Sequence, residues 1–228
     1  MSIDLETIGE GILPVDKPSG QTSFSLVRAL RKLTKIQKIG HAGTLDPLAS
    51  GVMILLIGRK FTQKADSFIN QDKEYEATIQ LGEETTTYDA EGEVVNTSDK
   101  IPIEQEVIVA LNRFQGTIEQ IPPMHSAKKV NGKKLYQLAR KGVEIERQPI
   151  QVTLTTNFIS YSYPEIKLSI SCSKGTYIRT IAQDIGKILG CGAHLKQLIR
   201  TRCGPYTLQD CLDGKELFKE TNASTNTA

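Results

Sequence analysis

Three stretches of this chain alternate apolar and polar residues with a strict period of two: Tyr75, Ala77, Ile79 and Leu81; Ile150, Val152 and Leu154; and Ile166, Leu168, Ile170 and Cys172. A period of two sends successive side chains to opposite faces of a strand, so each stretch reads as a half-buried strand. The last two are expected to be antiparallel neighbours joined around Tyr163-Pro164. Ile12 to Asp16 reads as a further short strand ended by Lys-Pro-Ser-Gly. Helical spacing lies between these runs. Phe24, Val27, Leu30 and Leu33 follow Thr22 and Ser23 as candidate N-caps. Phe61, Ala65, Phe68 and Ile69 predict a helix, as do Val107, Ile108, Leu111 and Phe114. Tyr177, Ile178, Ile181, Ala182, Ile185 and Leu189 predict another. Residues 36–51 carry Gly40, Gly43, Pro47 and Gly51 with no apolar period and read as a loop entering the buried run Val52 to Ile57. Asn131-Gly132 is a tight-turn signal. Strand runs with irregularly placed helices predict an α+β fold with a mainly antiparallel, mixed sheet.

Several function classes fall away. The longest apolar run, Val52 to Ile57, is far short of the roughly 20 residues that span a bilayer, and the N-terminus is acidic where a secretory signal is basic and then apolar. A cytoplasmic protein without a membrane partner is expected. Cys172, Cys191, Cys203 and Cys211 lie at spacings that match no zinc or Cys-x-x-Cys pattern, which predicts free thiols. Three histidines, at 41, 125 and 194, without clustered carboxylates argue against a metal site.

A net charge of +2 hides strong segregation. Residues 12–64 carry nine Lys or Arg against two Asp, residues 124–151 seven against two acids, and residues 174–206 six against one. Residues 65–106 hold twelve acids and two lysines. Such blocks are solvated surface, or, if the basic ones converge, a positive groove for a phosphate backbone.

Each basic block also contains a motif. His41-Ala42-Gly43-Thr44-Leu45-Asp46-Pro47-Leu48-Ala49-Ser50-Gly51 holds an aspartate that Pro47 biases away from helical backbone; alone, it is a turn or a ligand-presenting loop. Lys174-Gly175-Thr176-Tyr177-Ile178-Arg179-Thr180 sits at a strand-to-helix junction, where backbone N–H groups favour anions. Arg179 there can bind phosphate or pair with Asp46. Ile121 to Lys129, with Gly132 and Tyr136, mixes stiff backbone, cations and an aromatic, as single-stranded RNA sites and ordinary basic hairpins both do.

In this order the motifs resemble the TruB family of tRNA pseudouridine synthases. The resemblance runs from about Gly11 to Leu208 and rests on Val-Asp-Lys-Pro-Ser-Gly-Gln-Thr-Ser at 15–23, Gly-His-Ala-Gly-Thr-Leu-Asp-Pro at 40–47, Lys-Glu-Tyr at 73–75, Pro-Pro-Met-His-Ser-Ala at 122–127 and Gly-Thr-Tyr-Ile-Arg-Thr at 175–180. It implies the pseudouridine synthase catalytic fold, with RNA-binding loops around the sheet. It also implies a cofactor-free isomerase acting on the T-loop uridine at tRNA position 55. Asp46 would be the catalytic aspartate, Arg179 its ion-pair partner, and His41, Tyr75, Tyr177 and Leu198 the contacts of the flipped nucleotide. The expected partner is the T-arm stem-loop of tRNA rather than DNA, with no obligatory protein partner. Ile199 and Tyr206 depart from the Arg and Phe frequent in the family. Residues 1–213 are expected to form a single catalytic domain and 214–228 a short tail, partly disordered, without the separate RNA-binding domain many relatives carry.

The chemistry such a site performs breaks the C1′–N1 bond, rotates the retained uracil and rejoins it through C5. An ionised carboxylate acting at the sugar is the one group it must have, and an Asp beside an Arg stays ionised at neutral pH. Three other readings share some of these features: a tRNA chaperone without essential turnover, an RNA-guided synthase of the dyskerin type, and a glycosylase that releases uracil.

Overall fold

The computed structural model describes residues 8–130 and 132–223. The chain opens with strand β1 (Gly11–Lys17), which Pro18 and Gly20 terminate. Helix α1 (Ser23–Thr34) follows; the Thr22 hydroxyl accepts the Ser25 N–H at 3.0 Å as its N-cap, and Lys35 closes it in left-handed backbone. Next come β2 (Ile39–Ala42) and β3 (Ser50–Ile57). The stretch read as loop therefore contains a strand. Its Gly and His disguise it, and its pairing partner, β3 from Ile54 to Ile57, decides its conformation. The single helix expected over 61–69 is broken into α2 (Arg59–Thr62) and α3 (Ala65–Ile69), neither with a side-chain cap.

Strand β4 (Lys73–Leu81) leads to the hairpin of β5 (Glu83–Thr85) and β6 (Val94–Thr97), then α4 (Glu104–Leu111) and β7 (Gln115–Gln120). Strands β8 (Lys129–Val130) and β9 (Lys133–Lys134) pair antiparallel, as the tight-turn signal demands, although Asn131 itself lies outside the described residues. After α5 (Leu135–Ala139), the long hairpin of β10 (Ile150–Ser162) and β11 (Glu165–Cys172) turns at Tyr163-Pro164. Helix α6 (Ile178–Leu189) then precedes β12 (Ala193–Cys203). The chain continues through β13 (Tyr206–Thr207) and β14 (Leu212–Asp213) to α7 (Gly214–Ala223). Within the expected tail, the stretch 214–223 is helical: Leu217 is fully buried, α7 packs on α1, and Lys32 Nζ donates to the Thr221 carbonyl at 2.7 Å. Residues 224–228 of that tail lie outside the described residues.

The described residues form two compact units, one from 8–75 with 198–223 and the other from 76–197. In the first, strands run in the order β14, β1, β3, β12, with β2 on β3 and β13 on β12. β1 and β3 are antiparallel from Gly11 opposite Ile57 to Lys17 opposite Gly51, whereas β1–β14 and β3–β12 are parallel. Ala42, Val52, Ile54, Leu56 and Cys203 form a core on which Phe61 and Phe68 of the two short helices rest. The second unit has strand order β4, β11, β10, β7, with Val152, Leu154, Leu168 and Ile170 buried and α4 packed on both α6 and β10. The fold is α+β with a mixed, mainly antiparallel sheet, as the sequence predicts.

One glycine governs how β3 begins. Gly51 has φ +103°, and a Cβ there would lie 2.2 Å from the Arg200 carbonyl oxygen, its parallel partner on β12. Gly51→Ala combines a disfavoured dihedral with a backbone clash, so a loss of roughly 3 kcal/mol or more is expected. Gly20→Ala, at φ +81° with open space around it, is expected to cost only about 1 kcal/mol. Urea unfolding of the two variants side by side checks this; equal midpoints would show that the β3–β12 approach yields without penalty.

Candidate active site

In the first unit, the loop from Gly43 to Ala49 carries Asp46 half-buried at its middle, with the Ala49 N–H donating to the Asp46 carbonyl at 3.1 Å. The Lys-Pro-Ser-Gly-Gln-Thr-Ser segment holds this loop by its main chain. Ser23 Oγ donates to the Leu45 carbonyl at 2.8 Å and accepts the Leu45 N–H at 2.9 Å. Ser19 Oγ donates to the Leu48 carbonyl at 2.8 Å, and the Gly20 N–H donates to the Pro47 carbonyl at 2.8 Å. Lys17, fully buried, sends Nζ to the carbonyls of Pro18, Gln21 and Pro47. Two motifs widely separated in role are thus one device: the first clamps the second.

Arg200 braces the other side. It is 1% exposed, its Nε donates to the Val52 carbonyl at 2.6 Å and its Nη2 to the Gly43 carbonyl at 3.2 Å. Those carbonyls flank the Asp46 loop at its two ends, so one rigid guanidinium fork fixes the span between them. Sequence reading treats Arg200 as one more cation of a basic block. Local spacing does not set it apart from Lys196 and Arg202 on the same strand.

His41 lies on β2, and its Nδ1 is buried without a hydrogen-bond partner among the described residues. Burial, and then the Arg200 charge, push its pKa below the usual 6.5, so the ring is neutral at pH 7. The unfolded chain takes up this proton more readily than the folded one. Stability from this group is therefore present above pH 6.5 and lost as pH falls through the depressed folded value. We expect the thermal midpoint to drop between pH 7.5 and 5.5, and to drop less in His41→Gln. An identical drop in that variant would move the pH dependence to other groups. Tyr75 on β4 and Leu198 on β12 are buried in this same unit.

The second unit holds Tyr177 and Arg179. Tyr177 caps α6, and the buried Gln120 side chain grips its main chain on both sides: Oε1 accepts the Tyr177 N–H at 2.8 Å and Nε2 donates to its carbonyl at 3.0 Å. Arg179, 5% exposed, donates to the carbonyls of Thr87 at 3.2 Å and His125 at 2.6 Å, and pairs with Asp89 at 3.4 Å. Asp89 is 2% exposed; its Oδ1 accepts the Thr87 hydroxyl and the Glu91 N–H. Asp89 escapes the sequence reading because it lies among the twelve acids of 65–106, where a buried carboxylate looks like any solvated one. Burial, followed by the Arg179 charge, lowers the His125 pKa, leaving a neutral imidazole beside the cation.

A family model described as TruB family pseudouridylate synthase (N terminal domain) matches residues 31–178, and one described as tRNA pseudouridylate synthase B C-terminal domain matches 179–227. Among curated proteins, the chain is similar to the tRNA pseudouridine synthase B of Protochlamydia amoebophila, at 54% identity over 95% of this chain and 83% of that protein. It is similar to that of Chlamydia pneumoniae at 57% identity over 91% and 88%, and to that of Clostridium kluyveri at 45% over 92% and 74%. Among solved structures, a chain of a Cbf5-Nop10-Gar1 complex superposes with a TM-score of 0.68 at 27% identity, covering 89% of this chain and 50% of that one. The present chain spans half the length of that structural relative.

Proposed function

The chain belongs to the TruB family of pseudouridylate synthases, and from that premise we propose that it converts the T-loop uridine at tRNA position 55 to pseudouridine, with Asp46 as the catalytic carboxylate. The observation that carries this is the Asp46 loop itself, fastened through its main chain by Lys17, Ser19, Ser23 and Arg200. A loop whose main chain is held at so many points fixes where its central side chain stands, which is what precise placement against a ribose requires.

The Asp46 carboxylate acts at the sugar, as nucleophile at C1′ or as base toward a ribose proton. The C1′–N1 bond breaks, the uracil rotates, C1′ bonds to C5, and the proton on C5 is exchanged for one on N1. The product is an isomer of the substrate, so the balance calls for no electron acceptor and no cofactor. Arg179 is the cation that the family resemblance assigns to the catalytic aspartate, and its guanidinium is aimed by Asp89 and by the Thr87 and His125 carbonyls. Tyr75 stacks on the flipped uracil, a contact worth roughly 1–3 kcal/mol; Leu198 and Tyr177 close around it. Neutral His41 fills space beside the base without adding charge. The basic blocks at 12–64, 124–151 and 174–206 bind the T-arm phosphates, while the acidic block repels RNA elsewhere. Among the described residues no helix is long and apolar enough to cross a membrane, and we place the reaction in the cytoplasm with tRNA.

The test is incubation of the protein, in EDTA and without added cofactor, with a T-arm stem-loop RNA, reading pseudouridine at the target position by mass spectrometry. Conversion at that position alone is the expected result. Binding of both stem-loop and whole tRNA without conversion would favour the tRNA chaperone reading, and free uracil in the reaction would favour a glycosylase.

A further inference from the structure

Lys73 is one of the two lysines in the acidic block of residues 65–106, and at 7% exposed it is too deeply buried to serve RNA phosphates. Its position at the head of β4 gives it another task. Nζ donates to the carbonyls of Ile69, at 2.9 Å, and of Gln71. Ile69 is the last residue of α3, so the ammonium sits where a final helical turn leaves its carbonyls without intrahelical donors. Helix α3 in turn packs on β2, the strand that carries His41.

The stem of Lys73 reaches a second element. A Cβ built on Gly43 would lie 3.7 Å from Lys73 Cε and 3.5 Å from Arg200 Nη1, so the main chain that opens the Asp46 loop is lodged between a buried lysine stem and a buried guanidinium. The third element is β4 itself. Tyr75 lies two positions beyond Lys73 and so shares its strand face. The neighbours of Lys73 are held from the end of β12: Glu74 accepts from Arg202 at 2.8 Å, and the Gly204 N–H donates to the Asp72 carbonyl at 3.0 Å. With the backbone at 72–74 fixed in this way, the Lys73 side chain is what joins the Tyr75 strand to α3 and to the Asp46 loop.

We propose that Lys73 is a positioning residue for the reaction, setting the Tyr75 ring relative to the Asp46 carboxylate through this three-way joint without itself touching RNA. The proposal rests on the reading of Asp46 and Tyr75 given above. Methionine at position 73 keeps an apolar stem but leaves the Ile69 and Gln71 carbonyls without their donor, so the tie between α3 and the head of β4 is lost. A reacting group misplaced by about 1 Å costs about 100-fold in rate. The effect therefore falls on the chemical step and spares RNA capture.

The experiment measures single-turnover conversion and Kd of a T-arm stem-loop for the wild type, Lys73→Met, Tyr75→Ala and the double variant, with amide hydrogen exchange of the RNA-free proteins followed by mass spectrometry. Lys73→Met is expected to slow conversion about 10- to 100-fold while Kd stays within about threefold, because no phosphate contact is removed. In the Tyr75→Ala background the same change is expected to slow conversion far less, since the ring it places is gone. Exchange is expected to quicken over residues 43–49 and 69–75 and to keep its wild-type rate over α1. Equal slowing in both backgrounds would overturn the proposal, as would a loss of affinity that accounts for the whole loss of turnover, or exchange quickened evenly through the first unit. Lys73→Arg, which keeps donors on a longer stem, is expected to slow conversion less, and it decides through the same cycle if Lys73→Met does not fold. The exchange measurement needs no turnover. Local quickening in a protein that makes no pseudouridine would sink the catalytic reading and leave the joint standing.

Discussion

Asp46→Asn is expected to lower kcat/KM for pseudouridine formation by about 10⁴-fold or more, the scale on which loss of a reacting carboxylate acts, while the Kd for tRNA stays within about threefold. The reason lies in how the loop is held. Ser23, Ser19, Gly20 and Lys17 reach the carbonyls or N–H of Leu45, Pro47 and Leu48, and Arg200 reaches the Gly43 carbonyl. Each of these bonds ends on main chain, so exchanging a carboxylate for an amide of the same shape at position 46 leaves them in place. What changes is the charge available at the sugar. Single-turnover kinetics and a binding isotherm on the same RNA check the split. Loss of affinity in parallel with loss of turnover would give Asp46 a docking role instead.

Asp89→Ala is expected to lower the free energy of unfolding by about 3–5 kcal/mol, because it strands the buried Arg179 cation without its carboxylate. Both side chains of the pair are more than nine-tenths buried, so solvent does little to screen the loss. The same change frees the Thr87 hydroxyl and the Glu91 N–H, which Asp89 Oδ1 accepts. Asp89→Asn keeps the Oδ1 acceptor for both, but replaces the Oδ2 that faces Arg179 with an NH2 donor, so it is expected to cost less than Asp89→Ala while still losing the pair. Turnover should fall in both variants, since Arg179 loses the group that aims it. Urea unfolding gives the stabilities. The double variant Asp89→Ala, Arg179→Met should be clearly less destabilised than the sum of its single changes, as for any pair whose members serve one another. Additive costs, or a loss below about 1 kcal/mol for Asp89→Ala, would mean that the pair contributes no more than a surface one.

These expectations reach different distances back into the sequence. The strands β4, β10 and β11 were legible because a sheet face imposes its period directly on the residues, and the Tyr163-Pro164 turn between β10 and β11 could be placed from its flanks. Helices α1 and α6 were legible for the same reason at a period of 3.6. Strand β12 was not. It carries Lys196, Arg200 and Arg202, and the middle one is buried on main-chain carbonyls, so the residue that should mark the wet face marks the core. Strand β2 was hidden by Gly40 and His41, and its existence depends on pairing with β3. The division of one expected helix into α2 and α3, and the packing of α7 on α1, likewise follow from partners distant along the chain.

The candidate residues themselves were named from motifs, and four of them, His41, Asp46, Tyr75 and Leu198, fall in one compact unit. The sequence by itself determined the half-buried strands, the amphipathic helices and the family, and it singled out the carboxylate proposed for the chemistry, since each is written in local spacing or in a contiguous motif. Only the tertiary structure decided what holds these groups in place. Arg179 is anchored by the carbonyl of Thr87, 92 positions away, and by that of His125, 54 positions away. Such a bond uses a peptide group that every residue possesses, so it leaves no trace in the identity of the residue that supplies it.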